Sequence, residues 1–243
     1  MSAQDLLLSA RGIRKHYGAL VVLDGVHFDV RKGDAIGIVG PNGAGKTTLL
    51  SVLSGSQVAT AGRIAFRDAE VSSLDATARC RLGIARTHQV PQPFSGMTVF
   101  ENVFTAATHG GGFRRAEAYD RCIDALDLCG MTPLANRRAE TLGLLDRKRL
   151  ELTRALATNP QVLLLDEIGG GLTDGEASEL VQTIRVLHSR DIAIVWIEHI
   201  VHVLLKVAQR LVCMDAGRII AEGDPKVVLA NATVVDAYLG GGH

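Results

Sequence analysis

The sequence predicts an α/β fold built on a mostly parallel sheet. Continuous apolar runs occupy residues 35–40 (AIGIVG), 162–166 (VLLLD) and 192–197 (IAIVWI), with a weaker run at 210–215 (RLVCMD). Runs of this kind suit strands that are buried on both faces, as the strands of parallel sheets are. Residues 175–189 carry apolar side chains at helical spacing. Apolar strands separated by helical segments are typical of a parallel α/β sheet.

The first 33 residues have a different pattern. Short β-type runs at 20–23 (LVVL) and 26–30 (VHFDV) are followed by a turn sequence at 31–34 (RKGD). Short strands next to a turn indicate antiparallel pairing. We therefore expect an antiparallel β subdomain at the N-terminus.

The segment 92–157 is rich in Ala, Leu and charged residues and contains a Thr132-Pro133 break. This composition predicts helices rather than a linker. We expect a single domain over residues 1–243. In it, a helical subdomain (92–157) is inserted into a core formed by 1–91 and 158–243.

Composition excludes several classes of protein. At 47% apolar residues the chain can bury a core, and 26 Lys plus Arg balance 26 Asp plus Glu. This balance argues against binding nucleic acid or anionic lipid through bulk charge. The four cysteines lack metal-site spacing and indicate a reducing compartment. No apolar run approaches the roughly 20 residues of a membrane span, so we expect a cytoplasmic protein.

Residues 40–47 (GPNGAGKT) match the phosphate-loop pattern GxxxxGK[ST] without departure. The loop lies between the predicted strand 35–40 and a helical run at 48–53. Its backbone N–H groups and the helix N-terminus attract phosphate, Lys46 adds a charge, and the Thr47 hydroxyl suits Mg²⁺. The pattern predicts a P-loop NTPase. The expected nucleotide-binding residues are Asn42, Gly43, Ala44, Gly45, Lys46, Thr47 and Thr48.

Two acids, Asp166 and Glu167, stand at the end of the apolar run 162–166. Ligands of open α/β sheets bind at the carboxyl ends of the strands, so both acids are expected to face the phosphate loop. Asp166 suits the Mg²⁺ shell, through water. Glu167 suits the position of a group that holds or activates the water attacking the γ-phosphate.

With both motifs in place, the chain resembles the ATP-binding subunits of ABC transporters over essentially its whole length. The resemblance implies a RecA-like sheet, ATP and Mg²⁺ as ligands, and roles for three more residues. Tyr17 would stack on adenine, Gln89 would contact Mg²⁺ and water, and His199 would hydrogen-bond the γ-phosphate. Singly, each residue also has an ordinary structural explanation: a packing aromatic, a surface loop residue and a strand-end histidine.

Within the family, several segments resemble the ATPases of branched-chain amino acid importers. This resemblance implies hydrolysis of ATP to drive uptake of branched-chain or related amino acids or amides. It also implies separate permease subunits, a periplasmic solute-binding protein, no nucleic acid, and a location on the inner face of the membrane. A weakly hydrolysing nucleotide sensor and the ATPase of a lipid or lipopolysaccharide transporter are the alternatives. The segments are GIARTHQ, MTVFENV, RLELTRALATNP, WIEH and DAYLG.

The chain departs from the family at the signature sequence, usually LSGGQ or LSYGQ. Residues 142–146 read LGLLD, so Gly143 replaces the serine that would bond the γ-phosphate and Leu145 replaces a glycine. Ile168 replaces the proline that usually follows the catalytic glutamate. Because each subunit offers its signature to the partner's nucleotide, we expect a heterodimer with a different ATPase. A homodimer that works through backbone N–H groups is the alternative.

The start of the helical segment also predicts a surface for the permease. Residues 90–104 include Phe94, Met97, Val99 and Phe100, which would form an apolar groove for a short helix of the partner. Ordinary core packing of the same residues is the alternative.

Overall fold

The computed structural model describes residues 5–240, which form two β-sheets and a group of helices. The strands are β1 (Leu6–Tyr17), β2 (Leu20–Arg31), β3 (Ala35–Val39), β4 (Ala61–Phe66), β5 (Ala69–Glu70), β6 (Ile84–Arg86), β7 (Val162–Asp166), β8 (Ala193–Ile197), β9 (Arg210–Asp215) and β10 (Arg218–Gly223). The helices are α1 (Lys46–Leu53), α2 (Ala76–Leu82), α3 (Val99–Thr105), α4 (Arg115–Leu128), α5 (Leu144–Ala157), α6 (Asp174–His188), α7 (Val201–Leu204), α8 (Pro225–Leu229) and α9 (Ala232–Gly240).

The larger sheet has six strands in the order β10-β9-β3-β8-β7-β6. All neighbours pair in parallel except β9 and β10, which form an antiparallel edge. Every residue of β3, β7 and β8 is buried, as the continuous apolar runs predict. The prediction of a mostly parallel α/β sheet is confirmed.

The smaller sheet is antiparallel, in the order β2-β1-β4-β5. The prediction of two separate short strands at 20–23 and 26–30 is wrong. Both runs belong to β2, one strand of 12 residues that pairs with β1 along its length. Gly25 joins the two runs at a positive φ of 71°, where the register with β1 shifts. Such a bulge lets pairing continue past a residue that does not fit the alternation. The turn at 31–34 then leads into β3 of the other sheet.

Helices α3, α4 and α5 lie between β6 and β7 along the chain, inside the segment whose composition predicts helices. A capping box starts α3, with Thr98 and Glu101 bonding each other's backbone N–H groups. One π-helical turn, Ala106–Gly110, follows α3. None of the helices in residues 5–240 has the length and hydrophobicity to cross a membrane.

The parallel sheet carries an apolar core on each face. Val195 of β8 packs with α1 and the antiparallel sheet, whereas Trp196 packs with α4, α5 and α6 on the other face. The core contains three of the four free cysteines, Cys122, Cys129 and Cys213. Burial raises the pKa of Cys122 and Cys129 to about 12 and that of Cys213 to about 11, so these thiols stay protonated.

A buried arginine attaches the end of α1 to the neighbouring loop. Arg79 of α2 is 1% exposed. Its guanidinium donates hydrogen bonds to the carbonyl oxygens of Val52 and Leu53 at 2.7 and 3.0 Å. It also donates to those of Ser72 and Leu74, each at 3.1 Å. Since the last carbonyls of a helix lack partners within it, Arg79 completes the C-terminal end of α1.

Replacement Arg79→Met should lower the free energy of unfolding by about 3–5 kcal/mol, because several buried carbonyl groups would lose their donor. Urea unfolding followed by the fluorescence of Trp196, the single tryptophan, measures the loss. Arg81→Met, an exposed change on the same helix, is the matched control and should change stability by less than about 0.5 kcal/mol. A loss below 1 kcal/mol for Arg79→Met would contradict this role.

Candidate functional site

The phosphate loop connects β3 to α1, and it packs closely against other backbone segments. A Cβ atom at Gly40 would lie 2.0 Å from the carbonyl oxygen of Met214, and one at Gly45 would lie 2.7 Å from that of Val22. Both glycines also have a positive φ, of 144° and 97°. The loop can follow this path only with glycine at these two positions.

Lys46 begins α1 and folds back over the loop. Its ammonium donates to the carbonyl oxygens of Gly40 and Pro41 at 2.7 and 2.8 Å. Burial lowers the pKa of Lys46, and the nearby carboxylate of Glu167 opposes that effect. The ammonium therefore lies inside the curve of the loop, facing the carboxylate across the site.

A cavity of about 240 Å³ lies over the loop. Its lining contains all seven loop residues that the sequence predicts to bind nucleotide, from Asn42 to Thr48, together with Val22 and Glu167. Tyr17 is not among these lining residues. It lies at the end of β1, where its hydroxyl donates to Gln57 and the ammonium of Lys15 lies 4.9 Å from its ring centroid.

Asp166 ends β7 beside the loop and is 1% exposed. The Thr47 hydroxyl donates to one carboxylate oxygen at 3.2 Å, and the guanidinium of Arg86 donates to the other at 2.8 Å. The Thr47 and Asp166 oxygens are thus close enough to share one Mg²⁺ site, with the Thr47 hydroxyl as a ligand and Asp166 holding a water molecule of the shell.

Glu167 lies between two side chains from other segments. Its carboxylate accepts a hydrogen bond from Nε2 of Gln89 at 2.5 Å and lies 2.6 Å from Nε2 of His199. Its side chain is 13% exposed, and that of His199 is 48% exposed. The structure thus brings Glu167 together with Gln89 and His199, for which the family resemblance implies contacts to Mg²⁺ and water and to the γ-phosphate.

Two charged residues at this edge of the sheet were not predicted from the sequence as site residues. Arg86 ends β6 and contacts Asp166, while Glu198 follows β8 and is 2% exposed. The sequence does contain a signal for Glu198, because it is an acid after an apolar run, as Asp166 is. No comparable signal marks Arg86, since the strand that it ends is only three residues long, Arg86 included.

The segment 142–146 forms the start of α5. Gly143 is the N-cap residue and Leu144 the first helical residue, 45% exposed. The Asp146 carboxylate lies in the first turn and pairs with Arg149 at 3.7 Å. A helix N-terminus attracts anions, and here a carboxylate of the chain itself already lies there.

Comparison with known proteins identifies the family. Residues 23–169 match the family model described as ABC transporter. The chain belongs to this family. As an ABC ATPase it binds and hydrolyses ATP. A second match, over residues 218–243, is to the family described as branched-chain amino acid ATP-binding cassette transporter.

Several relatives align with nearly the whole of this ABC ATPase. The Escherichia coli K12 protein named high-affinity branched-chain amino acid transport ATP-binding protein LivG is 34% identical, with 96% of this chain and 98% of the relative aligned. The Methanocaldococcus jannaschii protein named probable branched-chain amino acid transport ATP-binding protein LivG is 32% identical, with 96% and 97% aligned.

Solved structures agree with the fold. A nucleotide-free ATP-binding cassette from an ABC transporter aligns with a TM-score of 0.88 and 31% identity, covering 96% of this chain and 98% of that chain. The ADP conformation of the cassette MJ1267 aligns with a TM-score of 0.87 and 32% identity, covering 97% and 99%. These structures support the prediction of a P-loop NTPase with a RecA-like sheet.

Replacement Lys46→Ala should weaken ATP binding roughly 10- to 150-fold, because a charged donor to phosphate contributes about 1.5–3 kcal/mol. Equilibrium titration with a fluorescent ATP analogue and magnesium measures the change. Lys226→Ala removes an exposed lysine and is the control, with unchanged affinity expected. Equal affinities for the two variants would contradict the assignment of Lys46.

Proposed function

We propose that this ABC ATPase drives an importer for branched-chain amino acids or related amino acids or amides. The observation that best supports ATP hydrolysis at this site is the position of the Glu167 carboxylate, between Gln89 and His199 and next to the phosphate loop. The match of residues 218–243 and the LivG relatives support the solute class. Permeases encoded as separate chains and a periplasmic solute-binding protein complete the transporter, with this chain on the inner face of the membrane.

ATP binding uses the loop and the two oxygen ligands beside it. The Lys46 ammonium moves from its two loop carbonyls to the β- and γ-phosphate oxygens, while the loop N–H groups bind the rest of the triphosphate. Thr47, Asp166 and Gln89 would hold Mg²⁺, which when bound would supply neutralisation of the phosphate charge. Tyr17 stacks on adenine, as in the family that the chain resembles.

Hydrolysis depends on Glu167. Its carboxylate holds a water molecule in line with the γ-phosphate and accepts a proton from it as the new P–O bond forms. The bond to the ADP oxygen then breaks, and ADP leaves. His199 turns from the Glu167 carboxylate to the γ-phosphate and responds to its release.

Glu167→Gln should lower kcat for ATP hydrolysis roughly 100- to 10,000-fold, because the amide cannot accept the proton, and should leave ATP affinity nearly unchanged. Phosphate release and analogue binding measure the two quantities. Glu70→Gln, at an exposed position of β5, is the control. An unchanged kcat in Glu167→Gln would favour the second candidate, a nucleotide-sensing subunit that hydrolyses poorly.

The dimer that this chain forms is a heterodimer with a different ATPase. The first turn of α5 contains the exposed Leu144 and the carboxylate of Asp146, and in this dimer it would face the partner's nucleotide. A carboxylate near phosphate repels it, and the serine donor is missing at Gly143. The partner's signature serves this chain's own complete phosphate loop, so the two nucleotide sites differ in activity.

Restoring the signature tests this asymmetry. The triple variant Gly143→Ser, Leu145→Gly and Asp146→Gln should raise the ATPase rate of the chain purified alone by about tenfold or more, since a charge-assisted contact contributes about 1.5–3 kcal/mol. Asp124→Asn, an exposed change on α4, is the control. A wild-type chain that alone hydrolyses ATP as fast as its mixture with the partner ATPase would contradict the heterodimer.

The permease contact lies at the start of the helical region. Val90, Phe94 and Met97 are exposed there and offer an apolar surface. Two residues of the predicted groove are less exposed than these three. Val99 is fully buried, and Phe100 is partly buried and stacks on Phe104. Val99 therefore belongs to the core of the helical region, and its inclusion in the surface was wrong.

A further inference from the structure

Glu198 is a buried acid with several partners that belong to different elements. Its Oε1 atom accepts a hydrogen bond from the backbone N–H of Gly169 at 2.5 Å and from the indole Nε1 of Trp196 at 3.3 Å. Burial raises the pKa of Glu198, and the bond from Gly169 counteracts this effect. Lys148 of α5 is also buried and attracts the carboxylates of both Glu198 and Glu167.

The loop that Glu198 contacts is the one that carries Glu167. Glu167 has a φ of 48°, in the left-handed region that non-glycine residues rarely adopt, so the surrounding structure must hold it there. Its N–H bonds the carbonyl oxygen of Ile197 at 2.9 Å, and its own carbonyl oxygen accepts from the N–H of Gly170 at 3.3 Å. The bond from Gly169 to Glu198 adds a side-chain anchor to this backbone pairing.

The fit between Glu198 and the loop is tight. A Cβ atom at residue 169 would lie 2.6 Å from Oε1 of Glu198, so the loop approaches the carboxylate this closely only with glycine there. The indole of Trp196, which is 1% exposed, donates to the same Oε1 atom. Glu198 thus has little freedom to move, and neither has the backbone that follows Glu167.

We propose that Glu198 is a positioning residue for hydrolysis. It anchors the backbone N–H of Gly169 and thereby restrains the loop that carries Glu167, so that the Glu167 carboxylate stays between Gln89 and His199. This inference rests on the proposed role of Glu167. Correct placement matters because a displacement of about 1 Å at a reacting group can reduce a rate about 100-fold.

The test is the variant Glu198→Gln in the full chain assembled with its partner subunits. The amide keeps the shape of the side chain but loses the negative charge that strengthens the hydrogen bonds from Gly169 and Trp196. We expect kcat for ATP to fall roughly 10- to 100-fold, while KM and the Kd of a non-hydrolysable ATP analogue change by less than about twofold. Glu179→Gln, an exposed acid on α6 that pairs with Arg149, is the control and should hydrolyse at the wild-type rate.

A second variant, Gly169→Ala, disturbs the same contact from the loop side and should reproduce the loss of kcat with unchanged affinity. Amide hydrogen exchange of Glu198→Ala gives a readout that needs no hydrolysis. Exchange should increase at Gly169, with the phosphate loop around Lys46 unaffected. Normal protection of Gly169 in that variant would contradict the anchor.

The outcomes separate this inference from the proposed function. A kcat within twofold of wild type in Glu198→Gln overturns the positioning role, and so does a loss that appears equally in analogue affinity, which indicates general damage to the fold. Glu167→Gln is assayed in parallel. If that variant loses hydrolysis while Glu198→Gln retains it, only the positioning role fails, and if both retain it, the proposed function fails as well.

Discussion

The carboxylate of Glu167 contacts Gln89 at 2.5 Å and His199 at 2.6 Å, and the rest of the site is arranged around these two contacts. The three residues follow β6, β7 and β8, which are neighbours in the parallel sheet. The carboxyl ends of parallel strands lie at one edge of the sheet, so side chains that are far apart in sequence come together there. Both apolar cores hold these strands in register, which is why the geometry of a few polar atoms depends on the packing of the whole sheet.

Charge compensation at this edge explains how acids remain stable in a largely buried site. Asp166 is shared between Arg86 and Thr47, and Lys46 lies inside the loop near Glu167. A buried carboxylate without a partner would cost several kcal/mol. The cationic partners thus offset part of the cost of burying the acids at this edge of the sheet.

Helix α5 brings two features of the proposed mechanism together within one turn. Asp146 lies in its first turn and is 27% exposed, while Lys148, two residues later, is buried and attracts the carboxylates of Glu198 and Glu167. In the proposed transporter, the surface that faces the partner's nucleotide and the carboxylate that serves this chain's own nucleotide thus share one rigid element. A shift of α5 on dimer closure would act on both sites, which gives the asymmetric pair a physical route for communication.

The sequence alone predicts those features that are encoded by patterns of neighbouring residues. The buried strands, the phosphate loop and the acids Asp166 and Glu167 follow from local patterns, because an apolar run or a glycine spacing carries its own backbone consequence. The continuous path of β2 past Gly25, the burial of Val99 and the Arg86–Asp166 pair could not be predicted this way. Only the tertiary structure decided them, because register, burial and charge pairing depend on which distant segments the packed sheet brings within contact.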